Sequence, residues 1–178
     1  MNVFLHWLTD RHAQRGAWLL WLVFAVGVTA LVARQPDHRV VTPVYHQASA
    51  NWWAGRDLYE EGIHGFLYLP PSAILYTPFR WPPKRLGEVI WRWVILGVYV
   101  SSVWRLARLA SLRGGSELFA AMTLLSIPAA LDGARYGQMN MPLAGLMIHA
   151  AVDLARLRWW RASLSLCLAF ALKPPRSS

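Results

Sequence analysis

Residues able to take part in chemistry are concentrated in two polar stretches, each between apolar segments. The first carries carboxylates, imidazoles, an amide and a guanidinium, namely Asp37, His46, Asn51, Arg56, Asp57, Glu60, Glu61 and His64. The second reads LDGARYGQMNMP over residues 131–142 and holds Asp132, Arg135, Gln138 and Asn140. Polar side chains beside a bilayer are costly unless they are paired or used. We therefore expect the two stretches to lie on one face of the protein and to share a cavity.

Each of these groups also has a purely structural interpretation. Arg56 and Asp57 can be a solvated helix end, and Asp132 with Arg135 can form an ion pair at a helix terminus. The amides of the second stretch can instead satisfy backbone groups in a tight turn. The residue types alone leave both interpretations open.

Metal and cofactor motifs do not occur in the sequence. His149 and Asp153 are four residues apart on one helical face, but without further ligands a packing or capping role is favoured over a metal or proton pair. We find no zinc-ligand spacing, glycine-rich phosphate loop or nucleophile elbow, and we expect neither a metal nor another cofactor. The single cysteine, Cys167, excludes an intrachain disulfide.

The composition indicates a membrane protein. Of 178 residues, 56% are hydrophobic, 15% are charged and 11 are tryptophan, whereas soluble domains carry about 25% charged residues. Tryptophan concentrates where a bilayer meets water. The net charge of +9 is divided among turns between apolar segments rather than collected in one basic run, so we expect membrane lipid and no nucleic acid as a partner.

The elements that must position the polar residues follow from the apolar pattern. Residues 17–33 are uncharged and long enough for a first crossing, which needs roughly 17–25 residues. Residues 34–87 are predicted to form a long outer loop with short interfacial helices, one from an N-cap at Thr42 to about Gly55 and a second piece over residues 72–76. Residues 88–178 hold the remaining crossings. In the first of these, Arg92 at one end and Arg105 with Arg108 at the other are predicted to reach the two interfaces.

The later apolar segments, residues 118–131, 139–152 and 162–172, are short for crossings and would also suit a globular all-α protein. Basic turns at residues 105–113 and 156–161 alternate with them and are predicted to be cytoplasmic, which places the loop and residues 132–140 outside. We predict an all-α, multi-pass plasma-membrane protein. Its single membrane domain, residues 1–178, would have about five crossings and a long first extracytoplasmic loop.

Several short motifs follow one another in a defined order. They are Y-x-x-A-x-x-x-W-x-x-G-x-x-L-Y at residues 45–59, FLYLPP at 66–71, PF at 78–79, GQMN at 137–140 and LKPP at 172–175. Together, over residues 17–175, this series resembles glycosyltransferase family 87. Members of that family are mannosyltransferase-like membrane proteins of the GT-C class, formerly described as a domain of unknown function.

The resemblance implies transfer of a hexose from a polyprenyl-phosphate donor to a glycan or glycolipid acceptor at the outer membrane face. Such enzymes use an acidic residue of the first outer loop as general base, commonly just before the tyrosine of the first motif. Here Thr42 lies near that position, and a threonine is not a base at ordinary pH. The resemblance therefore implies that Asp57, or else Asp37, takes the proton.

Other roles follow from the same resemblance. Cationic and amide donors stabilise the charge that develops on the leaving phosphate, and the candidates are Arg135, Gln138, Asn140 and Lys173. Aromatic side chains can contact the sugar or the prenyl chain, or only anchor the loop at the interface; the candidates are Tyr45, Tyr59 and Tyr68.

Family members are longer than this chain, which therefore resembles the N-terminal portion of such an enzyme and can be inactive by itself. A second hypothesis is a non-catalytic membrane scaffold or lipid-binding protein with the same architecture. A transporter is disfavoured because no inverted repeat or broken-helix pair occurs.

Overall fold

The computed structural model describes residues 2–34, 41–59, 66–111 and 115–172, with side chains from residue 12 onward. Within these ranges all regular structure is helical, which confirms the predicted all-α class. The helices are α1 (Asn2–Arg34), α2 (Thr42–Trp53), α3 (Pro70–Arg80), α4 (Lys84–Ala110), α5 (Ser116–Tyr136), α6 (Asn140–Ala155) and α7 (Trp159–Leu172).

Three of the helices, α1, α4 and α5, are long and apolar enough to cross a membrane. This agrees with a multi-pass membrane protein. Helices α6 and α7 contain 16 and 14 residues, fewer than the roughly 20 that a crossing needs. The total of about five crossings stays a prediction.

Helix α1 buries a narrow stripe and exposes the rest of its surface. The buried side chains recur every three or four residues, as one face of a helix requires; they are Ala17, Trp21, Ala25, Val28 and Val32. The other faces carry exposed leucine and valine side chains, which suits contact with lipid. Two indole hydrogen bonds join α1 to its neighbours. Trp21 of α1 donates to Thr123 at 3.0 Å, and Trp93 donates to Thr29 of α1 at 3.0 Å. Such polar contacts are typical of helix association in membranes.

The polar contacts of the bundle form two groups, one where α4 and α6 end and one where they begin. At the end that we call the basic end, the Arg105 guanidinium pairs with Asp153 and contacts His149 Nδ1 at 2.8 Å. Ser101 Oγ lies 3.1 Å from the other ring nitrogen of His149. Both residues of the predicted pair thus serve helix packing through Arg105.

The opposite end, which we call the loop end, contains α2, α3, the first turns of α4 and the turn at residues 137–140. The Val41 N–H donates to the Tyr136 carbonyl at 3.2 Å, and the Trp91 indole donates to the Gly137 carbonyl at 2.9 Å. The start of α2 and the turn at residues 137–140 therefore lie together at one end of the bundle, and a cavity shared by the two polar stretches stays a prediction.

Local sequence explains the short helices of the loop end. Helix α2 begins at Thr42 with Pro43 in its first turn, where proline is favoured because its missing N–H is not needed. The predicted N-cap role of Thr42 is wrong, because Val41 is the capping residue and makes no side-chain hydrogen bond to the helix. Helix α3, which also begins on prolines, is longer than the predicted piece and extends through Pro78.

Candidate active site at the loop end

Four of the predicted site residues are joined in one hydrogen-bonded chain. The backbone N–H of Tyr59 donates to Asp57 Oδ1 at 3.0 Å, and the Tyr59 hydroxyl donates to the Tyr68 carbonyl at 3.1 Å. The hydroxyls of Tyr68 and Tyr45 are 3.1 Å apart. Because Tyr45 is only 1% exposed and Asp57 is exposed, this series of hydrogen bonds leads from the surface into the core.

Asp57 lies in an open pocket at the C-terminal end of α2. The pocket has a volume of about 360 Å³ and is lined by Trp52, Gly55, Arg56, Asp57, Leu58 and Tyr59. The Asn51 side-chain amide donates to the Asp57 carbonyl at 3.0 Å, which fixes the backbone of the turn. An exposed carboxylate that is held in place beside aromatic rings can accept a proton from a bound hydroxyl group.

Tyr45 links this chain to the turn at residues 137–140. Its ring lies 6.4 Å from that of Trp91, whose indole donates to the Gly137 carbonyl, and its hydroxyl lies near the backbone of the buried Met139. Burial, reinforced by the neighbouring Tyr68, raises the pKa of Tyr45 far above its usual range. The hydroxyl therefore stays protonated and serves as a structural bridge rather than as a base.

The turn itself is built by a left-handed glycine. Gly137 has φ +69°, and the Gln138 N–H donates to the Gly133 carbonyl at 2.9 Å, which is the bonding pattern of a Schellman helix end. Gln138 is half-buried, and Asn140 is exposed at the start of α6. The turn thus presents two amide residues beside α2.

The remaining predicted residues lie elsewhere. The Arg135 guanidinium lies over the Tyr136 ring, 5.7 Å from its centroid, and is not part of the tyrosine chain. Asp37 and Lys173 lie outside the described residues, as do Glu60, Glu61 and His64.

Sequence reasoning missed a buried ion pair beneath the site. The side chains of Glu88 and Arg92 are each 1% exposed and form an ion pair within α4. Arg92 Nη2 also donates to the Arg135 carbonyl at 3.3 Å. The prediction that Arg92 reaches the interface is wrong, because Glu88, one turn earlier, supplies the opposite charge in the interior. The i, i+4 spacing of Glu88 and Arg92 is the signal that was available.

An aromatic cluster surrounds this pair and joins three helices. Ring centroids lie 5.4 Å apart for Tyr45 and Tyr76, 5.3 Å for Tyr76 and Trp91, and 5.1 Å for Phe79 and Trp91. The pairs are arranged edge to face, which suits the ring quadrupoles. Helices α2, α3 and α4 therefore form one packed support for the pocket.

Comparison with known proteins adds independent information. The chain is similar to a protein of Mycobacterium tuberculosis, a polyprenol-phosphate-mannose-dependent alpha-(1-2)-phosphatidylinositol mannoside mannosyltransferase. The two are 27% identical over an alignment 193 positions long, which covers 92% of this chain and 44% of the relative. The chain thus spans less than half the length of this relative. No solved structure gives a significant match. Residues 66–175, more than half of the chain, match the profile of glycosyltransferase family 87, and the chain belongs to that family.

Proposed function

We propose that this chain is the N-terminal part of a hexosyltransferase, and that its loop end faces the outside of the plasma membrane. The observation that carries the proposal is the hydrogen-bonded chain from the exposed Asp57 through Tyr59 and Tyr68 to Tyr45. Tyr45 packs against Trp91, whose indole donates to the Gly137 carbonyl of the amide-bearing turn. A carboxylate and a set of hydrogen-bond donors are the two groups that sugar transfer from a phosphate needs.

The donor that we propose is a polyprenyl-phosphate sugar, with mannose as the sugar. The mycobacterial relative is named for its dependence on polyprenol-phosphate-mannose and for its action on a phosphatidylinositol mannoside, which supports a lipid-linked or glycan acceptor here. The aromatic lining of the Asp57 pocket suits a sugar ring or a prenyl chain.

In the proposed reaction the acceptor hydroxyl oxygen attacks the anomeric carbon of the donor sugar. Asp57 takes the hydroxyl proton, a bond forms between the acceptor oxygen and the anomeric carbon, and the bond to the phosphate oxygen breaks. Polyprenyl phosphate leaves, with its charge stabilised by donors from Arg135, Gln138, Asn140 and Lys173. Asp37 is the second candidate for the base.

The proposed domain organisation is one membrane domain over residues 1–178, with a first crossing at 17–33, a loop at 34–87 and the other crossings at 88–178. Since the chain covers 44% of the relative, activity is best measured in the full-length protein.

The experiment is transfer of labelled mannose from polyprenyl phosphate in membranes that hold the full-length protein. Loss of the general base is expected to slow transfer about 10²- to 10⁴-fold in Asp57→Asn. Asp132→Asn is the matched control, because Asp132 is also exposed at a helix end but has no role in the proposed step, and it should retain activity.

Transfer that survives both Asp57→Asn and Asp37→Asn would remove both residues as the base. A correctly folded wild-type protein without transfer would instead favour the non-catalytic scaffold or lipid-binding protein.

A further inference from the structure

Polar atoms without a hydrogen-bond partner are buried at the loop end of the bundle. In the described part of the chain they are Thr42 Oγ1, His46 Nε2, Tyr76 Oη, Glu88 Oε1 and Arg92 Nε. The residues that carry them come from α2, α3 and α4. Thr42, Tyr76 and Glu88 are 0% exposed and Arg92 is 1% exposed. Buried polar groups are nearly always hydrogen-bonded, so this concentration requires an explanation.

The five side chains form one cluster. Glu88 and Arg92 are ion-paired, and the His46 and Tyr76 rings are 5.4 Å apart. The Tyr76 ring also packs 5.3 Å from that of Trp91, the residue before Arg92 in α4, so the two pairs are neighbours. Burial and, after it, the Glu88 carboxylate raise the pKa of Tyr76.

Thr42 closes the cluster on the side of the turn. A Cβ atom at Gly137 would lie 2.9 Å from Thr42 Cγ2 and 3.1 Å from Arg92 Cζ. The side chains of Thr42 and Arg92 therefore both lie against Gly137.

The chemistry of the cluster selects a small neutral ligand. The charges of Glu88 and Arg92 cancel, and burial lowers the pKa of His46, so a further ion would be unbalanced. Glu88 Oε1 can only accept a hydrogen bond and Arg92 Nε can only donate one, while the hydroxyls can do either. Water is the ligand that meets this mixture, since a buried water molecule makes about three hydrogen bonds to otherwise unpaired groups.

We propose that the cluster is an internal water-binding site whose Arg92 positions the 137–140 turn against α2. Arg92 is suited to this because its guanidinium reaches Glu88 with one nitrogen and the Arg135 carbonyl with another. A lysine keeps the charge but lacks the planar fork that makes both contacts. The role of Arg92 in catalysis rests on the proposed transferase function, whereas its role in holding the turn does not.

The first test is hydrogen exchange on the full-length protein in lipid nanodiscs. In Arg92→Lys, the backbone amides of Val41 and Met141, which bond within the turn region, are expected to exchange about 10-fold faster or more, as loss of a charged hydrogen bond predicts. Arg105→Lys is the matched control, because Arg105 is also ion-paired but at the basic end, and it should leave these amides unchanged. The positioning role would be overturned if the Val41 and Met141 amides of Arg92→Lys exchange at the wild-type rate. It would also be overturned if amides at the loop end and at the basic end of that variant are accelerated equally.

The second test separates a hydrated cluster from a dry one by the melting temperature of Tyr76→Phe. A water-bound hydroxyl contributes a hydrogen bond, so its removal should lower the melting temperature. A hydroxyl that is buried without any hydrogen-bond partner destabilises the folded protein, so its removal should raise the melting temperature. Tyr45→Phe, whose hydroxyl has Tyr68 as a partner, should lower it in either case. A melting temperature that rises in Tyr76→Phe overturns the water site.

A third measurement connects the cluster to catalysis. If the turn carries the donor-phosphate contacts, Arg92→Lys should raise KM for the polyprenyl-phosphate donor and leave KM for the acceptor unchanged. Equal changes in both constants would contradict positioning of the donor side. If the wild-type protein transfers no sugar, the proposed function fails, while exchange and melting still decide the proposal.

Discussion

The substitution Gly137→Ala tests how tightly the turn is packed on α2. Gly137 has φ +69°, a left-handed conformation that costs an L-residue with a side chain about 1–2 kcal/mol. The added Cβ would lie 2.9 Å from Thr42 Cγ2 and 3.1 Å from both Cζ and Nη1 of Arg92. Arg92 is held by its ion pair and cannot withdraw freely, so the methyl group must displace the helix or the turn.

The size of the effect follows from two contributions. Overpacking of a filled site costs about 1–3 kcal/mol, and the left-handed conformation adds about 1–2 kcal/mol. Gly137→Ala is therefore expected to lower the free energy of unfolding by about 2–5 kcal/mol. For a chain of this size, each kcal/mol lowers the melting temperature by about 2–4 °C.

Two other glycines separate the contributions. Gly55 has φ +64° but nothing within 4 Å of an added Cβ, so Gly55→Ala should show the backbone cost alone, about 1–2 kcal/mol. Gly97 lies inside α4, also with nothing within 4 Å, and alanine there should be neutral or stabilising by up to about 1 kcal/mol because of its helix propensity.

The assay is thermal unfolding of the purified protein in one detergent, with the four proteins measured in parallel. The expected order of melting temperature is Gly97→Ala at or above wild type, then Gly55→Ala, then Gly137→Ala. If Gly137→Ala and Gly55→Ala have the same melting temperature, the contacts of Gly137 with Thr42 and Arg92 are not tight. That result would refute the packing on which the positioning role depends.

Two further predictions concern pH and topology. Burial lowers the pKa of His46, so between that lowered value and about 6.5 the unfolded chain binds more protons than the folded one. Stability should therefore fall as the pH drops through this window, and His46→Gln should show a flatter dependence of melting temperature on pH. In a Cys167→Ser background, an impermeant maleimide should label Arg56→Cys in intact cells and Trp159→Cys only after permeabilisation; the reverse pattern would invert the predicted topology.

Much of the loop end could be predicted because its signals are local. The Thr42-Pro43 pair indicates a helix start, and α2 begins there. Gly137 ends α5 in the left-handed conformation, so the second polar stretch is a turn between two helices, as its composition suggested. The predicted piece over residues 72–76 is shorter than α3, because a proline in the last turn, Pro78, removes few backbone hydrogen bonds and does not end the helix.

The i, i+4 spacing could indicate the Glu88–Arg92 pair, but its burial could not be predicted because the groups that cover it are distant in the sequence. The interior position of Arg92 depends on the Arg135 carbonyl, 43 residues away, and on α2, which covers it through Thr42. Hydropathy alone favours an arginine that reaches water, since that is the less costly default at a helix end. The hydrogen bonds among the tyrosines could not be predicted for the same reason. Tyr45 and Tyr68 are 23 residues apart and meet only when α2 packs against α3.

The two ends of the bundle differ in how completely their polar groups are paired. At the basic end, Arg105 contacts Asp153 and His149, whose other nitrogen lies against Ser101, and none of the unpaired buried atoms of the described residues belongs to this network. At the loop end, five such atoms remain. A buried polar network is costly when only part of it is paired, and sites that break such rules are commonly functional. The same bundle thus has an end whose buried polar groups pair directly with one another and an end whose buried polar groups need the proposed water, next to the turn that would hold the donor phosphate.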